Sequence, residues 1–406
     1  MSAAESPSPR GGEGRGEGLH WTLNRALPIG LLSVALATLG SILFPPSNWM
    51  PSDVPDIAFI EAMVRWDAGW YGEIAENGYW LKPGEQSPIA FFPLYPLVIR
   101  AITWLGINRW VAGISVSFTC AMTALFLFGS WARRVLASPL PDPLPLGERE
   151  AVHVGGSLAQ TAFWLLALYP FAEYLYGVVY SDALFLLLAV GSFLALEKDR
   201  PILSAILGAL ACASRPVAPA VVIGLFLRSL ERRRLKGERL QLLDFVPALA
   251  GLGLLAFMIY LQVRFDDGLA FAHVQGVKGW DQPPGWHSWL KLEWFETMFP
   301  KVDLAIGLRL GGHALATVLA LALVVPTFKK LGWGYGTYTL LVVGIPAVSS
   351  KDFQGLGRYV IAAFPLFLTL ALLLQERPVL RKVVLVLFAA TLGALAIALG
   401  AGGYVA

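Results

Sequence analysis

The residues of this chain best suited to acid–base chemistry surround Asp67, in the stretch 65–71. On a helical wheel, at about 100° per residue, the segment 60–76 forms an amphipathic helix with Asp67 in the middle of its apolar face. The opposite, polar face carries Glu61, Arg65, Glu73 and Glu76. A carboxylate on an apolar face either caps or pairs with a neighbouring element, or lies in a cleft where it can take up a proton. The pattern favours the second interpretation and makes Asp67 a candidate general base.

The composition indicates that the scaffold around Asp67 is a polytopic membrane protein. Apolar residues make up 56% of the 406 residues, and only 15% are charged. A soluble globular chain has fewer apolar and more charged residues. The net charge of +3 indicates no particular partner, and we expect no nucleic acid to bind. Cys120 and Cys212 lie in or beside apolar runs, so neither a disulfide framework nor a zinc site is expected.

Apolar runs long enough to cross the hydrocarbon layer as helices recur along the chain. They predict an all-α, polytopic membrane helical bundle with about eleven spans. The predicted spans are 24–44, 110–132, 154–170, 179–197, 200–213, 216–230, 243–263, 304–327, 333–349, 358–375 and 381–402. Basic residues cluster in alternate loops, which identifies those loops as cytoplasmic. These residues are Arg133, Arg134, Lys198, Arg200, Arg232, Arg233, Arg234, Lys236, Arg239, Lys329, Lys330, Arg377, Arg381 and Lys382.

This alternation of loops requires that the segment 89–106 does not cross the membrane. Its Pro93, Pro96 and Arg100 suit a juxtamembrane or re-entrant helix better than a span. The N-terminus is then cytoplasmic and the C-terminus lies outside. The predicted parts are a disordered cytoplasmic N-terminus at 1–23 and a transmembrane domain at 24–406, with a first outer loop at 45–109, a flexible cytoplasmic loop at 138–150 and a second outer loop at 264–303.

Four further ionisable residues are predicted to emerge on the same outer side as Asp67. They are Asp182, Arg215, His273 and Arg358. Each has an ordinary structural explanation: Asp182 suits a helix N-cap, Arg215 and Arg358 suit anchors at the membrane edge, and His273 suits a structural loop position. Charge near membrane depth is costly and is usually kept for function. Their arrival on one side, beside Asp67, therefore favours a shared site.

Tryptophan is concentrated in the two predicted outer loops. These residues are Trp66, Trp70, Trp80, Trp280, Trp286, Trp289 and Trp294. Aromatic belts at the bilayer interface account for many of them. Flat aromatic surfaces also stack on sugar rings, so the pattern is compatible with a carbohydrate site without requiring one.

Three sequence elements carry a family resemblance: Arg-Trp-Asp-Ala-Gly-Trp-Tyr at 65–71, Ile-Ala-Glu-Asn-Gly-Tyr at 74–79 and Ala-Phe-Phe-Pro-Leu-Tyr-Pro at 90–96. In order and spacing they resemble the mannosyltransferase family that adds the second mannose of glycosylphosphatidylinositol (GPI) anchors, PIG-V, in its bacterial branch. Later elements are also similar: Tyr-Ser-Asp-Ala-Leu-Phe at 180–185, Ser-Arg-Pro at 214–216, and Gly-Arg-Tyr at 357–359 with Phe-Pro at 364–365. The resemblance spans roughly 24–400, and Asp182 stands where that family more often has Glu.

The resemblance implies a GT-C type integral membrane glycosyltransferase. Such an enzyme moves a sugar from a polyprenyl-phosphate donor to a lipid-linked or envelope glycan acceptor, here on the outer face of a bacterial inner (plasma) membrane. Mannose as the sugar is implied by the resemblance alone, and the acceptor is not implied at all. Further residues of the matching elements would line the substrate groove: Arg65, Trp66, Tyr79, Phe91, Phe92 and Tyr359.

Transfer from a polyprenyl-phosphate sugar sets two chemical requirements. The leaving phosphate is a weak base and needs positive charge nearby, for which Arg215 and Arg358 are the candidates. The attacking hydroxyl must lose a proton as the glycosyl bond breaks, for which Asp67 is the candidate. Asp182 and His273 would orient sugar or acceptor, and a single displacement would invert the anomeric centre.

No cofactor and no obligatory metal are expected. The chain has no Asp-x-Asp pair of the kind that holds a nucleotide-sugar metal, although Asp352 and Asp53 with Asp56 remain possible ligands. The competing interpretation is a multi-span transporter or lipid flippase. Such proteins usually have broken helices and ionisable groups near the bilayer midplane, and the sequence indicates neither feature. A non-catalytic scaffold is a third interpretation, and it leaves Asp67 without an explanation.

Overall fold

The computed structural model of the protein describes residues 14–45, 50–138, 148–298 and 303–405. In these ranges all the regular elements are helices, which confirms the all-α prediction. The α-helices are α1 (Gly14–Leu43), α2 (Ala58–Met63), α3 (Ala68–Asn77), α4 (Leu94–Thr103), α5 (Arg109–Leu136), α6 (Glu148–Ala167), α7 (Asp182–Glu197), α8 (Pro201–Cys212), α9 (Ala218–Lys236), α10 (Leu252–Phe265), α11 (Ala270–His273), α12 (Trp286–Trp289), α13 (Leu292–Met298), α14 (Leu304–Leu331), α15 (Trp333–Ser349), α16 (Leu356–Tyr359), α17 (Pro365–Leu373) and α18 (Pro378–Gly400). Short 3₁₀ helices cover Pro88–Ala90, Ala172–Leu175, Leu242–Gly251, Val274–Gly276 and Val360–Ala362.

Within the described ranges, five helical segments are long and apolar enough to cross a membrane, which supports a membrane-spanning protein. They are Asn24–Leu43, Arg109–Leu136, Leu242–Phe265, Leu304–Leu331 and Pro378–Gly400. A sixth candidate is the pair Leu356–Ala362 and Pro365–Leu373, whose two parts meet at a bend of 87°. The structure therefore supports five or six spans, and the larger predicted count is not confirmed.

Several predicted spans are helices too short to count as candidate spans. α7 has 16 residues, α8 has 12 and α15 has 17. Almost every residue of α7 is buried, because α5, α8 and α9 pack around it. A helix that is apolar on every side is typical of the core of a large helical bundle. An apolar run from such a core helix has the same composition as a membrane span.

Helices α1 and α18, at the two ends of the described chain, pack with their backbones in close contact. A Cβ atom on Gly40 would overlap the Ile397 carbonyl oxygen, and one on Gly400 would overlap that of Ala37. Only glycine allows this approach, because any side chain would collide with the opposing backbone. The contact fixes the end of α18 beside the start of the first long loop, 45–109.

One end of the bundle is closed by a buried network of charged and aromatic side chains. Arg228 donates to Glu197 at 2.7 Å and to Glu231 at 2.9 Å. The Tyr335 hydroxyl donates to Glu197 at 2.8 Å and accepts from the Trp131 indole at 2.9 Å. These bonds join α5, α7, α9 and α15, so the inner helices that carry site residues are tied together at the opposite end from Asp67.

The first long loop folds into short helices, and the predicted amphipathic helix over 60–76 is wrong. The chain forms α2 and α3 with a break between Met63 and Ala68. Arg65, placed on the polar face by the helical wheel, is 2% exposed. The helical wheel misplaced Arg65 because it assumes one continuous helix. The helix is interrupted between Met63 and Ala68, and the direction of the side chains changes there. In agreement with the prediction for 89–106, α4 has ten residues and is too short to span a membrane.

The two segments predicted to be flexible are described only in part. Helix α1 begins at Gly14, so 14–23 of the predicted disordered N-terminus is helical, and 1–13 lies outside the described residues. In the predicted flexible loop at 138–150, residues 139–147 lie outside the described residues, and α6 begins at Glu148.

Candidate functional site

Asp67 lies in the turn between α2 and α3. Trp66 adopts a left-handed backbone conformation, with φ of 50°, and Asp67 occupies the N-cap position of α3. This conformation is unfavourable for a bulky side chain and is concentrated at functional sites. The backbone N–H of Asp67 donates to the Tyr180 hydroxyl at 3.0 Å, and the Asp67 side chain is 24% exposed. The turn therefore holds the carboxylate against the bundle while leaving part of it accessible.

Two acids and two arginines form a chain of alternating charge, here called the charged cluster. Nη1 of Arg358 lies 3.7 Å from Oδ2 of Asp67, and Nε of Arg358 lies 3.9 Å from Oδ2 of Asp182. Arg215 donates a hydrogen bond to Asp182. Asp182, Arg215 and Arg358 are each less than 10% exposed. The structure therefore brings four of the five ionisable residues predicted for the site into one group.

Each member of the charged cluster is held at the end of a helix. Asp182 is the first residue of α7, and Arg215 lies in the tight turn between α8 and α9. Arg358 lies in the four-residue helix α16, just before the bend into α17. Charged groups at helix ends meet at one layer of a bundle because the helices themselves pack side by side. This placement explains how residues so distant in sequence share a site.

Aromatic rings hold the two guanidinium groups without occupying all of their N–H groups. The Arg358 guanidinium carbon lies 4.8 Å from the ring centroid of Tyr180 and 5.1 Å from that of Tyr174. The guanidinium carbon of Arg215 lies 4.6 Å from the ring centroid of Tyr359. Aromatic faces attract guanidinium groups through their quadrupole. Nε and Nη1 of Arg358 are buried and have no hydrogen-bond partner in the described structure, so neither N–H group is committed to another acceptor.

The environment of Asp67 makes its carboxylate more basic than usual. Burial raises the pKa of Asp67, and the negative charge of Asp182 acts in the same direction. The nearby Arg358 and Arg215 oppose this change without reversing it. A carboxyl group with a raised pKa accepts a proton more readily than an ordinary aspartate. The electrostatics of the cluster therefore suit a general base.

His273, the fifth predicted ionisable residue, does not join the charged cluster. Its side chain is 65% exposed, and Nδ1 lies 2.7 Å from Oδ2 of Asp267. This hydrogen bond lowers the pKa of Asp267. The contact joins residues only six positions apart, so it is a local feature of the second long loop, 264–303.

The other predicted groove residues divide into two groups. Phe91 lies near the cluster, with its ring centroid 5.1 Å from that of Tyr71, whose hydroxyl is 2.9 Å from Ser181 Oγ. Tyr79 instead donates to the Phe91 carbonyl, and Phe92 packs against two other phenylalanine rings. Tyr79 and Phe92 therefore stabilise the first long loop, and none of these contacts involves the charged cluster.

Arg65 and Trp66 connect the Asp67 turn to the C-terminal part of the chain. Nη2 of Arg65 donates to the Gly400 carbonyl at 2.9 Å. The Trp66 ring meets Tyr404 edge-on, with centroids 4.7 Å apart. Burial raises the pKa of Tyr404 to about 12, and the charge of Asp67 adds to the effect. Arg65 and Trp66 thus fix the direction of the turn that presents Asp67.

Sequence reasoning missed three charged or titratable residues around the cluster. Arg309 donates to the Tyr404 carbonyl at 3.1 Å, and His313 accepts from the backbone N–H of Gly357 at 3.1 Å. Glu173 is 2% exposed in the connection between α6 and α7. Arg309 and His313 both fall within the predicted span 304–327. An ionisable residue inside an apolar span was the signal that should have identified them.

Four aromatic rings, here called the aromatic wall, continue outward from Tyr71. They are Trp70, Trp80, Phe91 and Trp280. Trp280 belongs to the second long loop, and its ring centroid lies 5.5 Å from that of Trp70 in the first. All four side chains are only partly buried. The wall therefore joins the two loops beside the charged cluster and remains accessible.

No metal or cofactor site emerges from the described part of the chain. Within it, no group of three or more His, Cys, Asp and Glu side chains is arranged to hold a metal ion. Asp53, a possible ligand from the sequence, accepts instead from the Trp110 indole at 3.0 Å and pairs with Arg109 at 2.6 Å. The expectation of a metal-independent reaction stays a prediction.

Comparison of the chain with models of known protein families, with curated proteins and with solved structures finds no match. Function is therefore inferred from the charged cluster and its surroundings.

Proposed function

We propose that the protein is an integral membrane glycosyltransferase that moves a hexose from a polyprenyl-phosphate donor to a lipid-linked or envelope glycan acceptor. The observation that carries this proposal is the charged cluster, in which the accessible carboxylate of Asp67 faces a guanidinium group with unused N–H donors. Mannose as the sugar, a GT-C type bundle of about eleven spans and a site on the non-cytoplasmic side belong to the proposal as well.

The proposed reaction is a single displacement at the anomeric carbon. The acceptor hydroxyl oxygen forms a bond to this carbon while the bond from the carbon to the phosphate oxygen breaks. Asp67 takes the hydroxyl proton, and the polyprenyl phosphate leaves with the bonding electron pair. The transition state resembles an oxocarbenium ion, and attack from the opposite face inverts the anomeric configuration.

Arg358 is the residue proposed to receive the leaving phosphate. Its Nε and Nη1 atoms have no hydrogen-bond partner in the described structure, since the distance of 3.7 Å from Nη1 to Oδ2 of Asp67 is too long for a hydrogen bond. Hydrogen bonds from a guanidinium group to phosphate oxygens are shorter and stronger than neutral ones. Arg215 adds positive charge nearby while holding Asp182 in place. The four charges thus provide a base on one side and an anion site on the other.

The membrane location fits an amphiphilic donor. A polyprenyl chain stays in the bilayer, whereas its phosphate and sugar lie at the interface. Arg358 lies on one limb of the bent pair α16 and α17, whose 87° bend brings a helix end beside apolar helices. A phosphate bound there would remain attached to a lipid chain without leaving the membrane.

The aromatic wall is the proposed contact for the acceptor glycan. It adjoins Tyr71, whose hydroxyl group is paired with Ser181, the neighbour of Asp182. Tryptophan offers a flat apolar face that stacks on sugar rings. Trp70 and Trp280 therefore would guide a glycan hydroxyl towards Asp67.

One observation favours a transporter or lipid flippase as a second candidate. The bend between α16 and α17 is a broken helix with a charged residue, Arg358, on one limb. Discontinuous helices of this kind hold substrates and ions in transporters. The enzyme is the first proposal because a carboxylate of raised basicity beside guanidinium N–H groups that lack acceptors supplies both the base and the anion site that sugar transfer needs.

The experiment that separates the candidates incubates purified protein with polyprenyl-phosphate-mannose and a mixture of lipid and glycan acceptors. We expect sugar transfer by the wild type, a loss of at least about a hundredfold in Asp67→Asn, and wild-type activity in Asp56→Asn, an exposed carboxylate of the same loop. Movement of the lipid across a vesicle bilayer without transfer would instead support the transporter. Near-wild-type turnover by Asp67→Asn would rule out Asp67 as the general base.

A further inference from the structure

Glu173 is a buried carboxyl group that the proposed reaction does not use. It lies in the 3₁₀ helix Ala172–Leu175, between α6 and α7, and is 2% exposed. Neither of its side-chain oxygens has a hydrogen-bond partner among the described residues. Buried carboxylates are normally paired or hydrogen-bonded, because an isolated negative charge is strongly disfavoured away from water. Glu173 therefore needs an explanation.

The surroundings of Glu173 connect it to the charged cluster. Its electrostatic neighbours are Arg358, which favours its ionised form, and Asp182, which opposes it. The next residue, Tyr174, places its ring 5.1 Å from the Arg358 guanidinium carbon, and the Tyr174 hydroxyl also has no hydrogen-bond partner in the described structure. Glu173 thus interacts electrostatically with the guanidinium group that is proposed to bind phosphate.

Two nearby phenols, those of Tyr169 and Tyr176, do not stabilise an ionised Glu173. Tyr169 donates its hydroxyl hydrogen to the Gly357 carbonyl at 3.0 Å, and Tyr176 donates to the Ala167 carbonyl at 2.6 Å. Both donors are therefore committed to backbone oxygens. Burial raises the pKa of Glu173 well above its usual range. The carboxyl group is consequently neutral over a wider range of pH than an exposed glutamate.

The charge balance shows why a neutral Glu173 matters. With Glu173 uncharged, two acids, Asp67 and Asp182, are balanced by two arginines, Arg215 and Arg358. With Glu173 ionised, three acids would face two arginines, so Glu173 and the charged cluster together would carry an excess negative charge. Arg358 would also gain a competing partner. A phosphodiester is itself an anion, so this excess would oppose its binding.

We propose that Glu173 is a positioning residue that, by remaining uncharged, leaves Arg358 available to the phosphate of the donor. This role rests on the proposed function. It differs from a purely structural role because ionisation of Glu173 must weaken donor binding while the fold is unchanged.

The test measures binding of polyprenyl-phosphate-mannose to the purified full-length protein, without acceptor, from about pH 6 to about pH 10. The phosphodiester of this probe keeps one negative charge over the whole range, so its own titration does not interfere. We expect the dissociation constant of the wild type to rise about tenfold or more at the alkaline end. Glu173→Gln, which cannot ionise, should keep its neutral-pH affinity at the alkaline end.

Two further variants keep the test decisive. Glu173→Met removes the titratable group while keeping side-chain length, and it should also bind without the alkaline loss if Glu173→Gln fails to fold. Glu85→Gln, at an exposed carboxylate of the first long loop, should titrate like the wild type. A wild type whose affinity does not change with pH, or an alkaline loss equally large in Glu173→Gln, overturns the role of Glu173 alone. Absence of donor binding at every pH overturns the proposed function and this role with it.

Discussion

Arg358 and Asp67 face each other at 3.7 Å, close enough for strong electrostatic attraction and too far apart for a hydrogen bond. The two side chains are far apart in the sequence and meet in the charged cluster. A tight ion pair would have used both groups to satisfy each other. The looser contact leaves Asp67 able to accept a proton and Arg358 able to bind an anion.

The first prediction concerns the pH dependence of sugar transfer. Burial raises the pKa of Asp67, so this carboxyl group stays protonated, and inactive as a base, up to a higher pH than an ordinary aspartate. As the pH falls, kcat/KM should decrease first through the titration of Asp67, above the usual carboxyl range. Initial rates at subsaturating donor across the acid range give this profile. A decrease confined to the ordinary range of aspartate would contradict the assignment.

The second prediction concerns the donor phosphate. Arg358→Lys keeps the positive charge but loses the planar donor group that lies against Tyr180 and Tyr174. The donor KM should rise about ten- to a hundredfold, which corresponds to about 1.4 to 2.8 kcal/mol of lost interaction. Steady-state kinetics with varied donor measure the change.

The matched control for this prediction is Arg264→Lys, at an exposed arginine at the end of α10. Its donor KM should equal that of the wild type. An unchanged donor KM in Arg358→Lys, with only the acceptor KM raised, would assign Arg358 to the acceptor instead.

Much of the charged cluster could be predicted from the sequence for a physical reason. Asp182, Arg215 and Arg358 each stand at the end of an apolar run, and helix ends in a bundle gather in common layers. The break at Trp66 could not be predicted, because a left-handed residue between two helical segments is stabilised by tertiary contacts such as that with Tyr404. Periodicity alone continues a helix through such a position.

The number of spans was harder to predict for a related reason. Helix α7 is as apolar as a membrane span, yet other helices surround it on all sides. The amino-acid composition of a segment indicates that the segment is buried away from water. It does not indicate whether lipid or protein surrounds the segment. Arg309 and His313, in contrast, are ionisable residues within a predicted span, so the cost of charge at membrane depth could have identified them from the sequence.

The third prediction concerns the aromatic wall. Replacing Trp280 by leucine keeps an apolar side chain but removes the flat face beside Trp70 and Phe91. The acceptor KM should rise about fivefold, from the loss of about 1 kcal/mol of stacking, while the donor KM stays unchanged. Trp286→Leu is the matched control, because Trp286 is exposed in the same loop and lies outside the wall. Equal effects of the two variants would show that the wall does not bind the acceptor.

The fourth prediction concerns the buried network at the opposite end of the bundle. Arg228→Ala leaves the buried Glu231 without an ion-pair partner and leaves Glu197 paired only with Arg232, at 3.3 Å; both acids are about 1% exposed. Loss of one member of a buried ion pair typically costs about 3 to 5 kcal/mol of folding free energy, because a charge remains in the interior without compensation. Thermal unfolding in detergent, followed by circular dichroism, should show a clearly lower midpoint for Arg228→Ala than for the wild type.

Arg234→Ala, on the exposed end of the same helix, is the control and should unfold at the wild-type temperature. Coincident midpoints for all three proteins would show that the network contributes little to holding α7 and α9 together, and the precise placement of Asp182 and Arg215 would then need another structural basis.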